Sequence, residues 1–306
     1  MLVNGYSKIH KEFEDKLCEV NKFEAAVTVG SGFLANISMI EALCRKNDTL
    51  FIDEDYHASG ILATKLLRAE QVIVFKHNDN QDLKEKILNN KRSGRAIIVI
   101  EGVYSMGGDL APVEIFHTAD FFKAILIVDE AHSSGVIGDN LSGIFDYYKI
   151  TPNKYHIKMG TLGKAYSSYG AYILASQEII DFLVNRAKPI IYSTAPSLFD
   201  TALGYESLKF IIENKKELKE KIEKKLNIIY EELGIESKSL IIPILISDNK
   251  KVKEIQEVLK KHGYLVGAIR QPTVKEAIIR LIAKIDIEND VLTKVCKLLK
   301  DLNVNK

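Results

Sequence analysis

Short apolar runs separated by stretches of helical periodicity constrain the fold of this chain more than any other feature. The runs are rich in Val, Ile and Leu, and they comprise Val72–Phe75, Ile97–Ile100, Ile125–Val128 and Ala171–Leu174. Strands that alternate with helices along a chain form a parallel or mixed sheet with helices on both faces. We therefore predict an α/β fold, in which functional groups gather beyond the carboxyl ends of the strands.

The pattern changes near residue 211, which predicts a second domain. A long amphipathic helix over Ile211–Leu233 is followed by a strand over Leu240–Ile246 and by helices over Lys251–His262 and Asp290–Leu302. We predict a large domain over residues 1–210 and a smaller α+β domain over 211–306. The lysines and glutamates of the stretch 215–225 alternate with apolar positions at helical spacing, so we expect them to form a solvated face.

Composition excludes several classes of protein. The chain has 306 residues with 46% hydrophobic and 27% charged residues, and its formal net charge of +1 gives no reason to expect nucleic acid. Cys18, Cys44 and Cys296 are isolated, which is typical of a reducing compartment rather than of a disulfide framework or a metal site. No apolar segment approaches membrane-spanning length. We therefore expect a cytoplasmic protein that binds no membrane, nucleic acid or metal.

An acid, a histidine and a lysine stand in an order that suits pyridoxal phosphate. Asp129-Glu130-Ala131-His132 follows the run Ile125–Val128, and Gly160-Thr161-Leu162-Gly163-Lys164 comes later. Asp129 would keep the ring nitrogen protonated, because a nearby opposite charge favours the charged form. Lys164 would form a Schiff base with the aldehyde. Alternatively, Asp129 caps a helix and Lys164 is an ordinary surface lysine.

Asp-Glu-Ala-His after an apolar run also occurs as the Mg²⁺-binding motif of P-loop helicases. Such an enzyme needs a phosphate loop of the form G-x-x-x-x-G-K-[ST]. Gly163-Lys164 is the only candidate, but Lys158 stands at the first glycine position and Ala165 at the Ser/Thr position. The loop would also have to precede the acidic motif. We therefore reject the ATPase interpretation.

Further residues could complete a cofactor and substrate site. Gly32 and Phe33 open a predicted helix with apolar positions Phe33, Ile37, Ile40 and Cys44, and the N–H groups of a helix N-terminus favour a phosphate, although this pattern more often marks a plain helix start. His57 could stack on the ring, or be a packing or surface residue. Ser105 and His132 could reach the phenolic oxygen, and Thr161 the phosphate. Arg270 and Arg280 could hold a substrate carboxylate, or form structural ion pairs.

Short motifs in a fixed order connect these candidates. They are Ser31-Gly32-Phe33 with Ala35-Asn36, His57-Ala58-Ser59, Phe75-Lys76-His77-Asn78-Asp79, Glu101-Gly102-Val103-Tyr104-Ser105-Met106, Asp129-Glu130-Ala131-His132, Thr161-Leu162-Gly163-Lys164, Tyr192-Ser193-Thr194-Ala195 and Arg270-Gln271-Pro272-Thr273-Val274. Through them the chain resembles the α-oxoamine synthases, a branch of the fold-type I pyridoxal-phosphate enzymes. The resemblance runs through essentially the whole chain.

The resemblance implies a mainly parallel seven-stranded sheet between helices and a homodimer with shared active sites. It assigns a role to each matching residue by motif position. Lys164 is implied as the Schiff-base lysine, Asp129 as the partner of the pyridine nitrogen, His57 as the stacking residue, His132 and Ser105 as contacts of the phenolic oxygen, Thr161 and the Gly32-Phe33 backbone as phosphate ligands, and Thr194 as a phosphate contact donated by the partner subunit.

The resemblance also implies a reaction. L-Alanine would condense with a pimeloyl thioester of coenzyme A or of an acyl carrier protein, with loss of carbon dioxide, in biotin synthesis. The alternatives are a sister enzyme that uses glycine or serine with another acyl-CoA, and a shortened homologue without activity. His57-Ala58-Ser59-Gly60 and the motif Phe75–Asp79 favour the alanine enzyme.

Two departures from the family pattern affect these expectations. Family members carry a longer segment before the first large-domain helix, and that segment helps to build the small domain and the substrate entrance, so we expect a reduced entrance. The family also shows Arg-x-Arg near the C-terminus, whereas this chain has Arg280 with Ile282 two residues on. Arg280 matches the second family arginine if two residues are deleted and the first if none are, and we prefer the deletion.

Overall fold

The computed structural model describes residues 5–302 and divides them into two compact units. The first unit comprises the chain up to Tyr104 together with Leu110–Glu213, and the second comprises Ser105–Asp109 together with the chain from Asn214 onward. Within the described residues, no helix combines the length and the apolar character needed to cross a bilayer.

A seven-stranded sheet forms the centre of the first unit, in the order β1-β7-β6-β5-β4-β2-β3. The strands are β1 (Ala25–Val29), β2 (Thr49–Asp53), β3 (Val72–Phe75), β4 (Ala96–Glu101), β5 (Ile125–Asp129), β6 (His156–Thr161) and β7 (Ala171–Ala175). The five strands from β3 to β6 across the sheet are parallel, and β7 is antiparallel to both its neighbours. The prediction of a mainly parallel α/β sheet is confirmed.

Both faces of this sheet are buried. Successive side chains of a strand point to opposite faces of a sheet, and residues of both sets are buried here. Val99 and Ile127 pack with Met39 in one core, whereas Ile98 and Leu126, which point the other way, are also fully buried. The helices of this unit are α1 (Lys8–Asn21), α2 (Gly32–Leu43), α3 (Ala58–Thr64), α4 (Asn80–Leu88), α5 (Val113–Phe121), α6 (Ile144–Tyr147), α7 (Gln177–Arg186), α8 (Lys188–Ile191) and α9 (Leu198–Glu213).

Strand register brings functional positions to one edge of the sheet. Asp129 at the end of β5 pairs with Glu101 of β4 on one side and with Met159 of β6 on the other. Residues that follow these three strands therefore meet beyond their carboxyl ends.

Helix α2 begins at Gly32, where the Ser31 hydroxyl accepts a hydrogen bond from Leu34 N–H at 3.2 Å. Of the apolar positions named for this helix, Ile40 and Cys44 are buried, whereas Phe33 is 45% exposed. The buried face of the helix also includes Asn36 and Met39.

The second unit contains a three-stranded antiparallel sheet in the order β8-β10-β9, packed with helices around its own core. Its elements are α10 (Lys215–Leu233), β8 (Ile241–Leu245), α11 (Asn249–Lys261), β9 (Gly267–Ile269), β10 (Ile278–Ile282) and α12 (Asn289–Asp301). The helix predicted over Ile211–Leu233 begins instead at Lys215, because Ile211 belongs to α9. The domain boundary between residues 210 and 211 remains our proposal.

Lys225 departs from the solvated face predicted for α10. It falls on the same stripe as Ile222 and Ile229 and is 3% exposed. Its ammonium group donates to the backbone oxygen of Ile287 and, at 2.8 Å, to Asn289 Oδ1. Burial lowers the pKa of Lys225. The aliphatic stem completes the apolar stripe while the charge finds oxygen partners.

The segment Ser105–Asp109 is tied into the second unit by three contacts. Arg280 Nε donates to the Ser105 carbonyl at 2.6 Å, and the Ser239 hydroxyl donates to the Gly108 carbonyl at 2.7 Å. Gly108 has φ +69°, and a Cβ there would lie 2.1 Å from the carbonyl oxygen of Ile241. Only glycine fits this close approach.

Candidate active site

Asp129 is buried at the end of β5, with 4% of its surface exposed. One carboxylate oxygen accepts a hydrogen bond from Ala131 N–H and the other from Asn36 Nδ2, each at 3.0 Å. The alternative in which Asp129 caps a helix was wrong, because the next helix begins only at Ile144.

Burial raises the pKa of the Asp129 carboxyl, against the hydrogen bonds from Asn36 and Ala131 and the charges of Lys164 and His57, which lower it. Among the described residues, Asp129 forms no ion pair, and both of its hydrogen-bond donors are uncharged amides. A buried carboxylate without a cation in contact is costly. A protonated pyridine nitrogen would supply that cation, so this carboxylate fits the cofactor.

Lys164 and His132 lie together although they come from different loops. Lys164 Nζ is 2.7 Å from His132 Nε2. The loop after β5 and the turn after β6 approach closely at Gly135, which has φ +81°. A Cβ at this position would lie only 2.4 Å from Ala165 Cβ, so the absence of a side chain permits the approach. Lys164 is exposed, and its charge acts on Asp129. The geometry therefore gathers the predicted acid, histidine and lysine within one unit.

The residues predicted to hold the phosphate also lie together. A Cβ built on Gly32 would be 3.9 Å from Thr161 Cβ, so the start of α2 adjoins the end of β6. The amides of Gly32 and Phe33 open the helix and have no partner within it. Thr161 Oγ1 is 3.2 Å from the carbonyl oxygen of Gly170. The Thr161 hydroxyl donates to that carbonyl, so the two backbone N–H groups form the anion cradle, and Thr161 would join them by turning its proton away from Gly170.

Thr194 lies in the loop between α8 and α9 and is exposed. With Gly30 and Ser193 it lines a small cavity. His10, fully buried in α1, anchors the same loop through a hydrogen bond of 3.0 Å between Nε2 and the Pro196 carbonyl.

His57 caps α3 and is itself exposed. Its Nδ1 accepts a hydrogen bond from Ser59 N–H at 3.2 Å and lies 2.7 Å from Ser59 Oγ. The ring is therefore held from one side, and its remaining surface is available for stacking.

Sequence reasoning missed three side chains that support these residues. Asn36, Tyr56 and Ser59 are buried, and the Asn36 amide bonds to both of the others and to Asp129. Asn36 and Ser59 belong to the quoted motifs, but no role was assigned to them. The available signal was an asparagine among the apolar residues of a predicted helix.

Ser105, Arg270 and Arg280 belong to the second unit. Ser105 is buried and its carbonyl accepts from Arg280 Nε. Arg280 pairs with Gly267 in the sheet. Gly267 lies three residues before the exposed Arg270, so the two arginines occupy different positions along the hairpin. Their roles, like those of the other site residues, remain predictions.

Comparisons with known proteins identify the family. The sequence profile of the aminotransferase class I and II family matches residues 2–298. The chain belongs to this family. An 8-amino-7-oxononanoate synthase of Helicobacter pylori (strain J99 / ATCC 700824) is 46% identical over 282 residues, which covers 92% of this chain and 75% of the relative.

Solved structures show the same aminotransferase-family fold. The crystal structure of 8-amino-7-oxononanoate synthase from Francisella tularensis has a TM-score of 0.82 at 25% identity, over 97% of this chain and 88% of that one. A variant serine palmitoyltransferase from S. paucimobilis with a bound PLP–myriocin aldimine has a TM-score of 0.90 at 22% identity, over 99% of this chain and 79% of that one. Fold-type I architecture is therefore shown for this aminotransferase-family member.

Within residues 5–302, no group of three or more metal-ligating side chains is found.

Proposed function

We propose that this chain is a pyridoxal-phosphate-dependent acyltransferase that joins L-alanine to a pimeloyl thioester in biotin synthesis. The products would be 8-amino-7-oxononanoate, carbon dioxide and the free thiol. The observation that carries the proposal is the pairing of Lys164 with His132 beside the buried Asp129. The relative from H. pylori that bears the name of this activity, at 46% identity, supports the choice of substrates.

The chain's own residues would divide the work. Asp129 would hold a proton on the ring nitrogen, and His57 would cover one face of the ring. The bound pyridoxal phosphate would supply an electron sink for the amino-acid Cα. Thr161 and the amides of Gly32 and Phe33 would hold the phosphate.

Lys164 would hold the cofactor through its amine and would take the proton from the amino-acid Cα. His132 is placed to orient the lysine amine during this transfer, because the two nitrogens are already within hydrogen-bonding distance. The new bond would join alanine Cα to the thioester carbonyl carbon as the thiolate leaves, and the alanine carboxyl group would then depart as carbon dioxide while Cα takes back a proton. An arginine, Arg270 or Arg280, would hold that carboxylate first.

Uptake of the cofactor is the first test. We expect the purified chain to bind pyridoxal phosphate with the near-visible absorption band typical of a lysine-bound cofactor, and Lys164→Ala to lose that band. Lys154→Ala, at an exposed lysine outside the site motifs, is the control. A chain that takes up no pyridoxal phosphate would defeat the proposal and would favour a homologue without activity.

Substrate choice needs a second test. Alanine, glycine and serine would be offered with pimeloyl-CoA, pimeloyl carrier protein and shorter and longer acyl-CoA thioesters, and the products identified by mass spectrometry. We expect 8-amino-7-oxononanoate from alanine and a pimeloyl thioester. Preferential turnover of glycine or serine would instead identify a sister α-oxoamine synthase.

We further propose that a second copy of the chain completes each site. Thr194, predicted to reach the partner's phosphate, is flanked by large exposed apolar side chains: Tyr192 is 82%, Leu198 55% and Phe199 78% exposed. Such a patch is typical of a protein interface. We expect a dimer by light scattering, and Phe199→Glu should yield monomer with weaker cofactor binding. A monomeric wild type with full activity would contradict this proposal.

A further inference from the structure

We infer that Asn36 is a positioning residue, whose single side-chain amide holds Asp129 and, through Ser59, the ring of His57 in one fixed arrangement. The inference deepens the proposed cofactor site and rests on it, since Asp129 and His57 are the residues proposed to contact opposite parts of the pyridoxal ring. Nothing in the motif pattern assigned a role to this asparagine.

The Asn36 amide is almost fully committed. It is 1% exposed, and its Nδ2 donates to Asp129 Oδ2 at 3.0 Å and to Ser59 Oγ at 2.9 Å. Its Oδ1 accepts from the Tyr56 hydroxyl at 2.7 Å. An ionised carboxylate only accepts hydrogen bonds, so the NH₂ group must face Asp129 and the amide cannot be flipped. Both N–H groups are used, and each has a different functional neighbour.

The direction of these bonds extends to His57. Ser59 Oγ accepts from Asn36, which leaves its own proton to donate to His57 Nδ1, 2.7 Å away. Ser59 N–H also points at Nδ1, at 3.2 Å. Two donors converge on this nitrogen, so in the neutral imidazole Nδ1 is the acceptor and Nε2 carries the proton. The tautomer of the predicted stacking residue therefore follows from the asparagine behind it.

Tyr56 locks the other side of the amide. It is 4% exposed, and burial raises its pKa well above 10, so the phenol remains a neutral donor. Its hydroxyl contacts Asn36 Oδ1, the one part of the amide that faces neither Asp129 nor Ser59. Phe would fill the same space without the donor. This gives a mild perturbation of the asparagine that leaves the packing intact.

Asp129 depends on this donor because, within residues 5–302, its only other hydrogen bond comes from Ala131 N–H. Without Asn36, one carboxylate oxygen would face a buried site with no donor, and the carboxyl would bind its proton more tightly. The Asp129 carboxylate would also be held by Ala131 N–H alone and would turn more easily about the χ2 torsion. Substitution of Asn36 leaves Lys164 and His57, whose charges act on Asp129, in the chain.

The decisive experiment titrates Asp129 in the cofactor-free chain. Carboxyl ¹³C-labelled aspartate is followed by NMR against pH, with the Asp129 signal assigned through Asp129→Asn. We expect Asn36→Leu to move the Asp129 midpoint to higher pH, and Tyr56→Phe to move it in the same direction by less. Asn21→Leu is the matched control, since Asn21 is also a buried helical asparagine, which donates to the Leu17 carbonyl and accepts from Lys158 Nζ, each at 2.8 Å, and has no bond to Asp129. It should lower stability and leave the midpoint in place.

A second readout follows the imidazole. With ¹⁵N-histidine, wild-type His57 should show an acceptor Nδ1 and a protonated Nε2, and Asn36→Leu and Ser59→Ala should populate the other tautomer. If Asn36→Leu fails to fold, Tyr56→Phe and Ser59→Ala still carry both measurements. Unchanged Asp129 and His57 signals in the folded variants would overturn the inference.

These outcomes separate the inference from the proposed function. Failure of the wild type to take up pyridoxal phosphate would defeat the cofactor site while the titration of the cofactor-free chain still stood. If the wild type binds the cofactor, Asn36→Leu should retain binding but shift the pH midpoint of the near-visible band. The same midpoint as in Asn21→Leu would overturn the positioning role alone.

Discussion

Lys164 Nζ and His132 Nε2 lie 2.7 Å apart, a hydrogen bond that joins the turn after β6 to the loop after β5. A protonated lysine can only donate, so His132 then presents an unprotonated Nε2 to it. The imidazole thereby fixes the direction of the amine. A substitution at His132 should consequently be felt in what Lys164 does.

His132→Phe should lower kcat by about a hundredfold, the smaller end of what a positioned acid or base contributes. The phenyl ring fills similar space but offers no acceptor to the amine, so KM for the amino acid should change less than kcat. Steady-state product formation measures both. His117→Phe, at an exposed histidine of α5, is the control. Wild-type kcat in His132→Phe would show that the contact is incidental.

Glu14 gives a prediction on pH and stability. Its carboxylate is 7% exposed and accepts hydrogen bonds from Thr28 N–H at 2.7 Å and from the Tyr6 hydroxyl at 2.6 Å, and burial raises its pKa above 4.5. The folded chain therefore binds this proton more tightly than the unfolded chain. The cost of the buried charge is present above the raised pKa and is relieved as pH falls through it.

We expect the free energy of unfolding of the wild type, relative to Glu14→Gln, to rise as pH falls from the raised pKa of Glu14 towards 4.5. Urea titrations over this range give the difference. Glu19→Gln, at an exposed position of the same helix, should show no such trend. A constant difference between wild type and Glu14→Gln would contradict the burial argument.

Two glycines beside Thr161 should respond differently to alanine. A Cβ on Gly160 would lie 2.2 Å from the ring of Tyr172, which is fully buried, whereas a Cβ on Gly163 would meet nothing closer than 3.7 Å. We expect Gly160→Ala to lower the free energy of unfolding by about 1–3 kcal/mol through overpacking. Gly163→Ala should match the wild type. Equal stability of the two variants in urea would refute the steric reason.

Arg280 should matter for stability in a way that Arg270 does not. Arg280 Nε donates to the buried Ser105 carbonyl, while Arg270 is exposed. Arg280→Lys keeps the charge but loses that N–H, so the free energy of unfolding should fall by about 1–3 kcal/mol. Arg270→Lys should be nearly neutral. The reverse order would show that Ser105 is held by other contacts.

Much of the fold follows from local pattern. The run Val72–Phe75 coincides with β3, although this strand lies at the edge of the sheet and Val74 is 49% exposed. The run Ile125–Val128 coincides with nearly all of β5, because a uniformly apolar run is what a strand buried on both faces requires. The acid at the end of β5 and the lysine after β6 could be expected at one edge for the same reason. These features could be predicted from the sequence pattern because each depends on residues that are near neighbours in the chain.

Other features depend on distant partners, which a single sequence does not show. Lys225 is buried because Ile287 and Asn289 offer oxygens to its ammonium group. Asn36 acquires its importance only when Ser59 and Asp129 arrive beside it. Polar residues in helical stripes were therefore the main source of error.

The placement of Ser105–Asp109 has a consequence for how this protein can be divided. The chain enters the second unit after Tyr104, leaves it before Leu110, and returns for good at Asn214. A fragment that starts at Asn214 would lack the carbonyl that Ser239 binds and the backbone that Gly108 packs against Ile241. The second unit is therefore compact in space but is built from two separate segments of the chain. Neither a single cut nor a simple gene fusion could transplant it whole.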